Sequence, residues 1–450
     1  MQHLAIPLGW QPPSVAGVID VCTDQRFDFL SIPTTLVAQQ FVERNKMSLA
    51  NGPILFGLPG PTPIPDRVLR AMQRQPLDIY DPELLEITRS CKADLADIIG
   101  TSGDVHIYAA NGHGAWEAAL VNTLSHGDCV LVLESGRFAT DWGHLARDFG
   151  LEVRRLPGDW RTAVDPSQVE AFLRDDAQKE IKAILVAQID TASGVANDIE
   201  KISAAIASAR HPALFMVDVI GSLASVQFQM DAWHVDVAVA GSQKGLMCPP
   251  GLSFVAAGTR ALEGHARAGE PRHYWDWTGR NRPLHYFEYC GTPPEHLLFA
   301  LREALNIIAE EGLPAVLERH RILAGAVRSA AEVWAAGPNA AVSFNVVDAA
   351  ARADSVTTLL VADGHDPAVL FDFCKKTCGL VMGMGIGDLK GKAFRIAHMG
   401  HINAATILGV LSTIELGLTS LNWPVGSGGV NSAIAHLTKH TRSKNNAADT

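Results

Sequence analysis

Disulfide pairing is the first thing this sequence makes no provision for. Its seven cysteines are scattered and odd in number, so they do not form the framework of a secreted scaffold and they point to a reducing compartment. Apolar runs long enough for a membrane are missing too, because charge or glycine interrupts each one well short of the ~20 residues a spanning helix needs. No membrane partner is expected. Positive charge is scarce: the formal net charge is -11, and no Lys/Arg cluster occurs outside the terminal RSKNN stretch. That argues against nucleic acid as a partner, since binding a phosphate backbone needs clustered cations. Residues 1–46 lack the cationic start, apolar centre and small-residue cleavage site of a secretory signal, and the expected location is cytoplasmic. Metal-ligand spacing is absent as well. Cys374 and Cys378 stand one helical turn apart with no second pair beside them, and His398 and His401 have no third ligand.

What is present is a large apolar content. With 47% hydrophobic residues in 450, the chain can bury a sizeable core divided among roughly two or three domains. The stretch from Ala213 to Phe254 organises the rest. It holds two apolar runs of strand length, LFMVDV and VDVAVA, each followed by small residues. Asp218 sits near the end of the first, where a carboxylate is costly unless it meets a cation. Gly241-Ser242-Gln243-Lys244-Gly245 follows the second, leaving one amine among glycines and small polar residues. An acid at one strand end and a lysine beyond the next are what pyridoxal phosphate requires: the amine bonds its aldehyde, and the acid keeps its ring nitrogen protonated. Taken alone, the two residues read equally well as a surface lysine and a turn-capping aspartate.

Further strands with glycine turns surround them. Val105 to Ala109 leads through Asn111-Gly112-His113-Gly114 into a helix, and such a turn offers backbone N–H groups and the positive helix end to a phosphate. Val130 to Leu133 precedes Phe138, and Ala183 to Ile189 precedes Thr191. Together these strands and their helices predict a doubly wound sheet.

The run GSQKGLMCPPGLSF, with VDVIGSLAS before it, resembles the class V aminotransferases of pyridoxal-phosphate fold type I, in particular those of the serine-glyoxylate type. GPTPIPDRVLRAM, GAWEAALVNTLSHGD, TPPEHLLFALREAL and GKAFRIAHMGHIN extend the likeness from about Leu55 to Leu421. The resemblance implies an α/β fold with a large doubly wound mixed-sheet domain and a smaller C-terminal α/β domain. On the sequence these are residues 47–312 and 313–424, after an N-terminal extension of unknown role at 1–46. Residues 425–450 are left as a turn, a short helix and a polar tail.

It also implies pyridoxal 5'-phosphate as cofactor, with Lys244 and Asp218 catalytic. Asn111, Gly112 and His113 fall where the family binds the cofactor phosphate, although serine-glyoxylate members usually carry small hydroxyl residues in place of Asn111 and His113. Phe138 matches a ring-stacking position, Thr191 a donor to the ring hydroxyl oxygen, and Gln243 a further cofactor contact. Tyr289 and Thr292 match residues that reach the phosphate of a neighbouring subunit, so a homodimer with shared sites is expected. Arg395 matches the arginine that holds the substrate carboxylate, aided by backbone groups of Gly60, Pro61 and Thr62.

The implied activity is transfer of an amino group from a small amino acid, serine or alanine, to a 2-oxo acid such as glyoxylate. One arginine, with no second in a family position, favours a donor with a single carboxylate. Two alternatives stand beside it. The Tyr80-Asp81-Pro82 turn and AHMG are similar to pyridoxamine-pyruvate aminotransferase, and a cysteine desulfurase would need a mobile nucleophile, for which Cys290 is the candidate.

Overall fold

The computed structural model describes residues 49–445. The expected N-terminal extension and residues 446–450 of the polar tail lie outside them. From Ala50 onward the described residues fold as one compact unit built on two sheets. In chain order the strands are β1 Leu55–Gly57, β2 Asp104–Tyr108, β3 Cys129–Leu133, β4 Glu152–Leu156 and β5 Ile181–Ala187. A small hairpin of β6 Ile189–Asp190 and β7 Val195–Ala196 comes next, then β8 Leu214–Asp218, β9 Val237–Gly241 and β10 Ser253–Ala257. The last four are β11 Val342–Phe344, β12 Val356–Val361, β13 Leu380–Met384 and β14 Ala393–Ala397.

The larger sheet has the order β2-β10-β9-β8-β5-β3-β4. Only β10 runs against its neighbours, so β2 points the same way as β9, β8, β5, β3 and β4. Strands β3, β8 and β9 are buried at every position, as expected where helices cover both faces. Side-chain alternation divides them cleanly. Leu131, Ile184, Phe215, Val217 and Ala238 join one core, while Val130, Val132, Leu185, Met216 and Val239 join the other. Six strands therefore end at the same edge, where a ligand site is expected.

The smaller sheet, in the order β1-β13-β14-β12-β11, packs on helices Leu313–Trp334, Pro367–Cys378 and Ala404–Ser420. Its first strand is an addition to the sequence reading. Leu55–Gly57 pairs parallel with Leu380–Met382, because Leu55 packs into the smaller core. The following segment, grouped on the sequence with the large domain, thus runs from the smaller sheet toward the lysine turn. The C-terminal helix is also longer than expected. Gly429–Asn445 lies along Leu313–Trp334, with Glu415 accepting from both Val430 N and Trp334 Nε1, at 2.9 and 2.8 Å. Among the described residues no helix is long and apolar enough to cross a membrane, and no group of three His, Cys, Asp or Glu side chains could hold a metal ion.

Candidate active site

Parallel pairing of β8 with β9 sets Asp218 opposite Val239, so the chain needs only the short run after β9 to place Lys244 near the acid. That run is pinned. Ser242 Oγ donates to Pro249 O at 2.7 Å, and Met247 N donates to Lys244 O at 3.0 Å. The segment from β1 crosses the same turn. Thr62 donates its N–H to Gln243 O at 3.0 Å and its hydroxyl to Lys244 O at 2.9 Å, while the Lys244 ammonium donates to Pro59 O. Gly60 has φ +105, and a Cβ there would fall 2.5 Å from Lys244 Nζ, so this crossing requires glycine.

A cavity of about 310 Å³ opens at this point, lined by Lys244, Asp218, Gln243, Thr191, Phe138 and Asn111, with Gly60, Pro61, Gly112 and His113. A larger cleft of about 920 Å³ contains neither Lys244 nor Asp218, and its charges include the Arg137–Asp141 and Arg155–Glu134 pairs. The chemistry belongs to the smaller space.

Burial, reinforced by the Arg395 charge, lowers the Lys244 amine to about 8, so more of it is free base near neutrality than in an ordinary lysine. Burial raises Asp218 to about 7, against the opposing pull of its hydrogen bonds. Asp218 Oδ1 accepts from Ile220 N at 2.6 Å, and Oδ2 accepts from the Trp116 indole at 2.9 Å. A cation facing it would hold it ionised.

Asn111 has a capping role that the sequence reading did not include. Its Oδ1 accepts from His113 N and Gly114 N at 3.1 and 3.3 Å, capping the helix Gly112–Thr123. Two N–H groups expected to be free at this turn are therefore already bonded, which leaves the Asn111 carboxamide nitrogen and Gly112 N–H. The His113 ring leans on Trp116 at 4.5 Å. Phe138 is held by Asp190, a buried acid that accepts from Phe138 N at 2.7 Å, Ala139 N at 3.2 Å and Ala192 N at 3.0 Å.

Arg395 is buried and does not itself line the cavity. It donates through Nε to Met384 O at 2.8 Å and through Nη1 to Thr191 O at 2.9 Å, so it stands one residue behind the wall. Thr62 is also buried, and with both donors engaged it holds the lysine turn rather than offering an N–H to substrate. Tyr289 and Thr292 are not brought to the cavity by their own chain. Thr292 is exposed, whereas Tyr289 is buried with its hydroxyl 3.1 Å from Thr88 Oγ1. Trp116 and Asp190 were missed on the sequence. GAWEAAL does flag the tryptophan, but nothing local shows which acid it meets.

The aminotransferase class-V profile matches residues 54–385. The serine–glyoxylate aminotransferase of Methylorubrum extorquens is 38% identical over 397 residues, covering 86% of this chain and 96% of that protein. The L-aspartate–glyoxylate aminotransferase of Paracoccus denitrificans is 33% identical, with 87% and 97% covered. Among solved structures, the pyridoxamine-pyruvate aminotransferase of Mesorhizobium loti superposes with a TM-score of 0.78 at 25% identity, over 86% of this chain and 98% of that one. The chain belongs to the class V aminotransferases, a family of pyridoxal-phosphate-dependent enzymes of fold type I.

Proposed function

We propose that this chain moves an amino group from a small monocarboxylic amino acid, serine or alanine, to a 2-oxo acid such as glyoxylate. The observation that carries the reading is one cavity shared by the Lys244 amine and the Asp218 carboxylate. Its walls fit pyridoxal phosphate. Asp218 meets neutral donors only, so a protonated ring nitrogen would supply the cation that a buried carboxylate lacks. At Gly112 a Cβ would fall 2.3 Å from Ile220 Cδ1, so the turn stays bare enough for close approach.

When bound, the cofactor supplies an electron-withdrawing ring that stabilises negative charge at the donor α-carbon. Lys244 would hold it, and its amine, when free, would take the α-proton and return it. Asp218 would face the ring nitrogen. The carboxamide nitrogens of Gln243 and Asn111 and Gly112 N–H would meet the phosphate, Phe138 the ring face, and Thr191 the ring hydroxyl oxygen. Arg395, its fork fixed by two carbonyls, would take the substrate carboxylate.

The preference for a donor with one carboxylate rests on a single arginine, Arg395, standing behind the wall at Thr191; a second carboxylate, as in aspartate, would have no further guanidinium in the lining to meet. The glyoxylate acceptor is supported by the names of the Methylorubrum and Paracoccus relatives. Exposed Thr292, outside its own chain's cavity, supports a homodimer whose loops complete each other's sites. Part-exposed Cys290 and Cys378 are free thiols, which fits the cytoplasm. Desulfurase chemistry is not favoured, since Cys290 lines a separate cleft with His273 and Arg280.

Pyridoxamine with pyruvate is the second reading, supported by the Mesorhizobium structure and by the Tyr80-Asp81-Pro82 turn and AHMG. Steady-state kinetics with serine, alanine, aspartate and pyridoxamine against glyoxylate and pyruvate separates the two. Serine or alanine with glyoxylate should give the highest kcat/KM, and Arg395→Ala should raise KM for both substrates. Preference for pyridoxamine with pyruvate over every amino acid overturns the choice.

A further inference from the structure

Trp116 lies in the first turns of the helix Gly112–Thr123 and is 1% exposed. Three rings fix it: Trp142 stacks at 5.8 Å and 13°, His113 leans on it at 4.5 Å, and Phe138 meets it edge-on at 6.4 Å. Its N–H is thereby directed at Asp218 Oδ2, 2.9 Å away. A buried indole often bonds whatever acceptor lies nearest, but this fold does not require it. Trp142 keeps its Nε1 buried without a hydrogen-bond partner among the described residues. Trp275 and Trp334 bond acids elsewhere, Glu117 and Glu415, but among the described residues Trp116 is the tryptophan that lines the cavity, and its acid is the one carboxylate in the wall.

We propose that Trp116 is a positioning residue for the reaction: its indole N–H holds the Asp218 carboxylate turned toward, and charged for, the cationic ring nitrogen of the cofactor. The inference rests on the cofactor-binding reading given above. Asp218 Oδ1 is already tied to Ile220 N, so the two donors together fix the plane of the carboxylate. Burial works the other way, favouring the neutral acid. A neutral Asp218 would have taken the proton from the ring nitrogen, and the ring would then withdraw electrons less well. A hydrogen bond to the charged form opposes that transfer, and one to a carboxylate is worth enough to move the balance about 10- to 100-fold.

The test uses holoenzyme loaded with pyridoxal phosphate carrying ¹⁵N in its ring. In the wild type the nitrogen resonance should report a protonated ring near neutral pH. In Trp116→Phe it should move toward the unprotonated position, with kcat down by about tenfold or more and donor KM little changed. Benzothienylalanine at position 116 replaces only the N–H and keeps the two-ring shape, so it answers the question if the phenylalanine variant does not fold. In an Asp218→Asn background the Trp116 substitution should add no further loss. A ring nitrogen that stays fully protonated without the indole N–H overturns the proposal. A wild-type chain that takes up no cofactor removes the cofactor reading and the proposal with it.

Discussion

His320 and His398 lie away from the cavity and are buried. His320 Nδ1 donates to Val316 O at 2.7 Å, and its Nε2 accepts from Gly400 N at 2.9 Å. That pairing needs the neutral ring. His398 sits between Thr357 Oγ1 and Asp354 O, each at 2.9 Å. Burial is the main cause that lowers His320 to about 4 and His398 to about 3, while both would titrate near ~6.5 in the unfolded chain. The folded values lie below the unfolded ones, so below pH ~6.5 the unfolded state binds protons that the native state refuses. Stability is then lost as pH falls, by about 2 kcal/mol per histidine on reaching pH 5. Urea unfolding of the loaded enzyme at pH 7, 6 and 5 should show this loss, and His320→Gln should lose less over the same interval. Identical pH slopes for the two proteins contradict the account. The same burial makes Asp218 and Lys244 readable in sequence, since each interrupts or follows an apolar run. Trp116 and Asp190 were not readable as site residues, because their partners lie 102 and 52 residues away.

Apolar runs such as CVLVL, LFMVD and VAVAG are strands because helices cover both faces, and that pattern is local enough to read directly. Helix ends were partly legible. Asp81 and Asp165 cap their helices ahead of a proline at the first position, as their residue types suggest. Asn111 is of the same type, yet its capping role was masked by the expectation that the turn leaves its N–H groups free. The pairing of β1 was not legible. A three-residue strand has too few alternations to show its partner, and Leu380–Met382 lies more than 300 residues along the chain. Its consequence is mechanical: the crossing that touches Lys244 at Pro59 and Thr62 is anchored in the smaller sheet. The side chain that would hold the substrate carboxylate, Arg395, sits in β14 of that sheet.

For the whole molecule, one chain supplies Lys244, Asp218 and Arg395, but its Thr292 lies outside the cavity. In the proposed homodimer, mixing Lys244→Ala chains with Thr292→Ala chains should give heterodimers with one intact site and one doubly damaged site. Activity should recover beyond either parent, and no recovery after proven subunit exchange counts against shared sites. The order of the motifs made the family legible, whereas the proposed reach of the Tyr289–Thr292 loop into a second copy rests on position alone. The central claim is that the Lys244 amine both binds the cofactor and moves the α-proton. Its most direct measurement is Lys244→Ala loaded with pyridoxal phosphate, followed by visible absorbance and by the rate of amino transfer from serine to glyoxylate. The absorbance of lysine-bound cofactor should vanish, and the rate should fall by about 10²- to 10⁴-fold or more. A variant that keeps that absorbance, or transfers the amino group near the wild-type rate, contradicts the assignment.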